Sequence, residues 1–155
     1  MFEIVEDVKI EMDNVLSIKG EFTQQDIPSV VKDIKKIISD SGASENGRMV
    51  TATYSVDSDG TMDMEILVPL DKEIVAPAGY EFKPIFRLRN AIKVVHRGDP
   101  ALLQESADEL MKHIENRGLM QITVGYSVLI NSPANMQNLE DYCSEIYVGV
   151  CDNVL

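Results

Sequence analysis

The chain has 155 residues, with 14 basic against 26 acidic side chains and a formal net charge of −12. That length sets one domain, or two very small units, and the charge repels a phosphate backbone, so no direct nucleic-acid partner is expected. No apolar run approaches the roughly 18 residues of a membrane span, and the acidic start MFEIVEDVKIEMD lacks the basic and apolar blocks of a signal peptide, so the expectation is a cytoplasmic protein with no membrane partner.

The stretch VKIEMDNVLSIKGEF alternates in places and is rich in Val and Ile, which predicts one or two strand pieces broken near Asp13 and Asn14. Thr23 as N-cap, with the acid Asp26 three residues on, signals a helix start. Ile27, Val30, Val31, Ile34, Ile37 and Ile38 then recur at helical spacing, Pro28 is tolerable in the first turn, and Gly42 offers a left-handed close. RMVTATYSV reads as a strand, DSDG as a tight turn and TMDMEILVP as the returning strand. LDKEIVAPAGY links this half to the next. EFKPIFRLRNAIKVVHRG is a long strand segment interrupted near Arg89 and Asn90. Asp99 and Pro100 open a second helix, with Leu103, Ala107, Leu110, Met111 and Ile114 as its stripe and Gly118 as its stop. QITVGYSVLIN is a strand, SPANMQNLED a loop and YCSEIYVGV the last strand.

Both halves thus read β-α-β-β, and short phrases recur in the same order. Asn14 and Gly20 answer Asn90 and Gly98, YSV occurs at Tyr54 and Tyr126, and MEILVP at 64–69 answers SEIYVG at 144–149, which matches Glu65 to Glu145. The Gly, Tyr and Glu pairs have unequal offsets of 78, 72 and 80, as loop gaps allow. The expected architecture is α+β: two duplicated β-α-β-β units, approximately 1–70 and 78–151, form an antiparallel sheet with both helices on one face and a central groove on the other.

Strand alternation sorts the faces. Met62, Met64, Ile66 and Val68 share one side, and Asp63, Glu65 and Leu67 the other; Tyr142, Ser144, Ile146, Val148 and Val150 share a side, and Cys143, Glu145, Tyr147 and Gly149 the other. The aliphatic sets belong under the helices. Each Glu then falls on the helix-free face beside an apolar neighbour. Apolar walls with one or two carboxylates suit an organic cation, whereas an open sheet face leaves both Glu in solvent.

The stretches VVHRGDP, GYSV and SEIYVGV, with SIKGEF and MEILVP in the first half, resemble the GyrI-like small-molecule-binding domain, also known as the effector-binding domain of multidrug-responsive transcription activators. The resemblance covers nearly the whole chain as a single GyrI-like domain, and it implies paired β-α-β-β units around a concave groove. It also implies that Glu145 neutralises a cationic aromatic ligand, with Tyr147 as a wall. Candidate ligand-binding residues are therefore Glu145, Tyr147, Glu65, Leu67, Cys143, Tyr126 and Tyr54. The chain departs from the family pattern in having Asp99 between the Gly and Pro of the usual pair, Gly149 in place of Pro, no Trp, and no helix-turn-helix.

Three functions follow. The first is a standalone binder of a small organic ligand, amphipathic or cationic. The second is an acidic protein-interaction module or gyrase-inhibitor-like regulator, with a basic protein partner. The third is a small hydrolase in which Tyr54, Tyr126 or Tyr147 pairs with Glu65 or Glu145. Two Cys, Cys143 and Cys151, and two His, His96 and His113, show neither a disulfide framework nor metal-ligand spacing, so no cofactor and no metal is expected. His96 reads as a structural strand-end histidine and Cys143 as an inert, buried thiol.

Overall fold

The computed structural model describes residues 2–132 and 136–152. Its order is β1 (Phe2–Phe22), α1 (Ile27–Asp40), β2 (Val50–Val56), β3 (Met62–Pro69), β4 (Glu81–Arg97), α2 (Leu103–Asn116), β5 (Leu119–Asn131) and β6 (Cys143–Asp152). The chain is α+β, with antiparallel strands and two α-helices. It divides into two compact units, Glu11–Arg87 and Met1–Ile10 with Leu88–Leu155. The division crosses the contiguous halves read from the sequence, because the first stretch of β1 counts with the second unit and the first stretch of β4 with the first. Of the loop expected at 132–141, residues 133–135 lie outside the described residues, and Met136–Asp141 forms 3-10 turns.

In the first unit β3 lies between β1 and β2. The register sets Leu16 opposite Val68, Ile18 opposite Ile66 and Gly20 opposite Met64. Residues directly opposite share a sheet face. This face packs with Ile34 and Ile38 of α1 into one core, as alternation and helical spacing predict. Asp26 is the N-cap of α1, and its carboxylate accepts from the Thr23 backbone N–H at 2.9 Å. The two residues thus divide the start signal differently from the expectation, with Thr23 outside the helix. At the other end Gly42 has φ 71, its N–H donates to Ser39 O, and the Ala43 N–H donates to Ile38 O. This is the paired bonding of a Schellman close.

In the second unit β6 lies between β4 and β5. Ile92, Val94, Val148 and Val150 pack with Leu110 and Ile114 of α2. Met111, expected on the buried stripe, is 37% exposed, and Ser106 is buried. The reason lies beneath it: the Ser106 hydroxyl is 2.7 Å from His96 Nδ1. His96 Nε2 is 2.9 Å from the Asp99 carbonyl, which can only accept. In the neutral ring Nε2 therefore holds the hydrogen and Nδ1 accepts from Ser106. His96 is a fully engaged clasp between β4 and α2.

The expected strand breaks are not breaks. Asn14 and Asn90 have φ 55 and 52, yet β1 and β4 run through them. Asn tolerates this left-handed conformation better than most residues, and the Asn90 side chain donates to the Val150 carbonyl at 2.8 Å. The registers also sort the recurring phrases. Val15 faces Pro69 as Ala91 faces Gly149, and Ser17 faces Leu67 as Lys93 faces Tyr147, so the Asn and Glu pairs correspond. Gly20 faces Met64 whereas Gly98 falls beyond the paired strand, so the Gly pair does not correspond. Ala52 faces Glu65 and Val128 faces Glu145, which sets Tyr54 and Tyr126 on opposite sides of their Glu along the strand.

Candidate functional site

In each unit the strand face turned away from the helix carries a carboxylate, a tyrosine and a lysine. In the first unit Glu65 of β3 is 2% exposed. An ionised carboxylate at that depth requires partners. Lys83 Nζ donates to Oε2 at 2.8 Å, Ser17 donates to the same oxygen, and the Tyr54 hydroxyl donates to Oε1 at 3.0 Å. Burial pushes the Glu65 carboxyl up, but the bonds from Lys83, Ser17 and Tyr54 outweigh it and hold the carboxyl below its ordinary value. Tyr54 sits at a bulge of β2, between Thr53 opposite Met64 and Ser55 opposite Asp63. The extra residue re-aims the strand. Leu67 is fully buried and faces Ser17.

The second unit holds a more accessible version. Lys93 Nζ donates to Glu145 Oε2 at 2.8 Å, and the Tyr147 hydroxyl donates to Oε1 at 3.0 Å. The side chains of Lys93 and Glu145 are 20% and 14% exposed. The ammonium also lies 5.4 Å from the centroid of the Tyr147 ring, a cation–π distance. Desolvation lowers the Lys93 pKa, yet Glu145 and Tyr147 more than reverse it, and the group titrates above its ordinary value. The Tyr147 phenol is raised by burial and by Glu145, with Lys93 opposing. On the same face Tyr126 lies opposite Tyr147, and Val95 and Val128 lie opposite Glu145 from either side. Cys143 is partly buried at the start of β6, opposite Arg97 and Asn131.

The structure thus brings Glu65 together with Tyr54, and Glu145 with Tyr147, as well as setting Tyr126 beside the latter. It adds three residues that sequence reasoning missed: Ser17, Lys83 and Lys93. A signal existed for Lys93. A lysine inside the apolar run AIKVVH is seldom buried without an acid, and its parity sets it on the face of the closing-strand Glu. Lys83 carries no comparable signal, since FKPIFR is a mixed segment. An open cleft of about 500 Å³ at the end of α1, bounded by Lys35, Ser39 and Glu45, is lined by none of these residues. Among the described residues no cluster of His, Cys, Asp and Glu is arranged to hold a metal ion, and no helix is long and apolar enough to cross a membrane.

Gly149 is closely held by its neighbours. Its N–H donates to the Thr123 hydroxyl at 2.9 Å, a bond proline cannot make. A β-carbon there would meet Thr123 Cγ2 at 2.8 Å and Leu88 Cδ1 at 3.0 Å.

No family model matches the chain, and no curated protein matches its sequence. Solved structures share its fold. The C-terminal domain of EcmrR superposes with a TM-score of 0.73 at 15% identity, over 99% of this chain and 99% of that one. EcmrR in a DNA complex gives a TM-score of 0.75 at 15% identity over 98% of this chain, which spans 58% of the EcmrR chain. A hydrolase from Listeria innocua gives 0.62 at 13% identity, over 97% of this chain and 91% of that one. At these identities the likeness is one of fold, and the fold is that of the EcmrR C-terminal domain.

Proposed function

We propose that this chain is a small-molecule-binding module of the GyrI-like, effector-binding type, which takes an amphipathic organic ligand against the Lys93, Glu145, Tyr147 and Tyr126 face of its second unit. One observation carries the reading. Glu145 is an ionisable group at 14% exposure, flanked by Val95, Val128 and two tyrosines, on the strand face that α2 does not cover. Packing alone has no use for such a group, since a hydrophobic replacement of a buried ion pair is usually neutral or stabilising. An apolar surface with a few convergent polar groups is the common form of a ligand site. The fold shared with the EcmrR C-terminal domain supports the same reading. Glu65, Tyr54 and Leu67 belong to the first unit's sealed counterpart, whose carboxylate is saturated by its own chain.

Calorimetry against a panel of aromatic amphiphiles tests this. A ligand that binds the wild type should bind Tyr147→Ala at least tenfold more weakly, the scale of losing one stacked ring and one hydrogen bond. Equal binding by both proteins removes the ligand from this face.

The hydrogen bond from Tyr147 to Glu145 favours a second reading, a small hydrolase. Because burial and Glu145 both raise the phenol, Tyr147 keeps its proton at neutral pH and suits hydrogen-bond donation rather than attack. Turnover of a strained or activated ester by the wild type, abolished in Tyr147→Phe, supports that reading; equal turnover by both proteins refutes it.

A further inference from the structure

We infer that Lys93 is a built-in counter-cation that sets the charge class of the ligand: the site is neutralised by its own chain and selects uncharged amphiphiles over organic cations. The inference rests on the small-molecule reading above and narrows it.

The geometry is that of an occupied cation site. An organic cation held by a carboxylate and an aromatic wall needs its charge near the acid and over the ring. The Lys93 ammonium already has both, 2.8 Å from Glu145 Oε2 and 5.4 Å from the Tyr147 centroid. Its third neighbour, the Tyr147 hydroxyl at 3.5 Å, donates its own hydrogen to Glu145. Both carboxylate oxygens are therefore satisfied before any ligand arrives. A cation entering here must displace the ammonium or sit beside it as a like charge, and each course weakens binding. A neutral apolar body meets no such penalty, since it stacks on the half-buried Tyr126 and Tyr147 without disturbing the pair. The first unit repeats the device more tightly, with Lys83 at 2.8 Å from Glu65 and the carboxylate 2% exposed. Its saturation assigns the selective role to the more accessible Glu145 cluster.

The test uses a charge-matched pair of probes on one skeleton: (2-naphthylmethyl)trimethylammonium and its uncharged carbon isostere 2-neopentylnaphthalene. Affinities are measured by naphthalene fluorescence at pH 8 on the full chain, with wild type, Lys93→Met and Lys93→Gln. The expected result is that wild type binds the neutral probe at least as tightly as the cation. Either lysine variant should then raise the ratio of cation to neutral-probe affinity at least tenfold. Lys93→Gln keeps a donor for Glu145, so it serves if the methionine variant does not fold. A wild type that prefers the cation tenfold overturns the inference and leaves the binding reading intact. So does a cation-to-neutral ratio that both variants leave unchanged. If neither probe binds any of the three proteins, the binding reading fails and the inference fails with it.

Discussion

Glu145 and Glu65 show how far a single residue is legible from sequence. Alternation sets each on the face turned from its helix, and the structure agrees. What alternation leaves out is the neutralising partner. Glu145 taken alone is an unpaired charge whose removal stabilises the fold. Paired with Lys93 at 2.8 Å, it becomes a group whose removal strands an ammonium. Glu145→Gln and Lys93→Met should therefore each destabilise by about 1–3 kcal/mol, and the double variant should cost less than their sum. A double-mutant cycle by urea unfolding measures this, and a coupling below about 0.5 kcal/mol would show the pair to be inert. Glu65 permits a test by pH. Its carboxyl is held below the ordinary 4.5, so its contribution is fully present above that value and is lost as the pH falls through the folded-state value. Lys93 is raised above 10.5, so its contribution is present below that value and lost as the pH rises through its folded value. Glu65→Gln should lower the melting temperature at neutral pH, and the gap should narrow below pH 4.5. A gap constant down to pH 3 contradicts the assignment.

At the scale of elements, helices were the most legible. Ile34, Ile38, Leu110 and Ile114 are buried as their spacing requires. Met111 was misplaced because the centre of the α2 face is held by a polar contact, Ser106 on His96, which no hydrophobic period encodes. Ser106→Ala leaves His96 Nδ1 without its donor inside the unit, so thermal melts should show a loss of about 1–3 kcal/mol; a loss under 0.5 kcal/mol would mean that water replaces the hydroxyl. Strand continuity was harder to read. An Asn in an apolar run suggests an interruption, and at Asn14 and Asn90 it marks a left-handed residue within an unbroken strand. Recurrent tripeptides misled for a related reason. Strand register, which no tripeptide encodes, sets Ala52 opposite Glu65 and Val128 opposite Glu145, so identical letters fall at different positions relative to the Glu. Gly149 makes an element-level prediction of its own. With Thr123 Cγ2 2.8 Å from a β-carbon placed there, Gly149→Ala should overpack the β5–β6 contact and cost about 1–3 kcal/mol. Full stability in that variant would show that Thr123 turns aside without penalty.

For the whole molecule, composition excluded more than it identified. A net charge of −12 predicts no sub-micromolar binding of this chain to duplex DNA at physiological salt; a salt-resistant footprint would refute that. The α+β class followed from element order, and the EcmrR C-terminal domain shares the fold. The lysines that balance the two carboxylates lie far from them in sequence, 18 residues for Lys83 and 52 for Lys93. Contacts of that range belong to the folded chain, and no local period announces them. The central claim, that the second unit's strand face is the ligand surface, has a direct measurement: amide and side-chain chemical shifts of the labelled protein, titrated with 2-neopentylnaphthalene. Saturable shifts are expected at Lys93, Tyr126, Glu145 and Tyr147, with α1 and α2 unmoved. Shifts confined to the helices, or none at a saturating concentration of the probe, would contradict it.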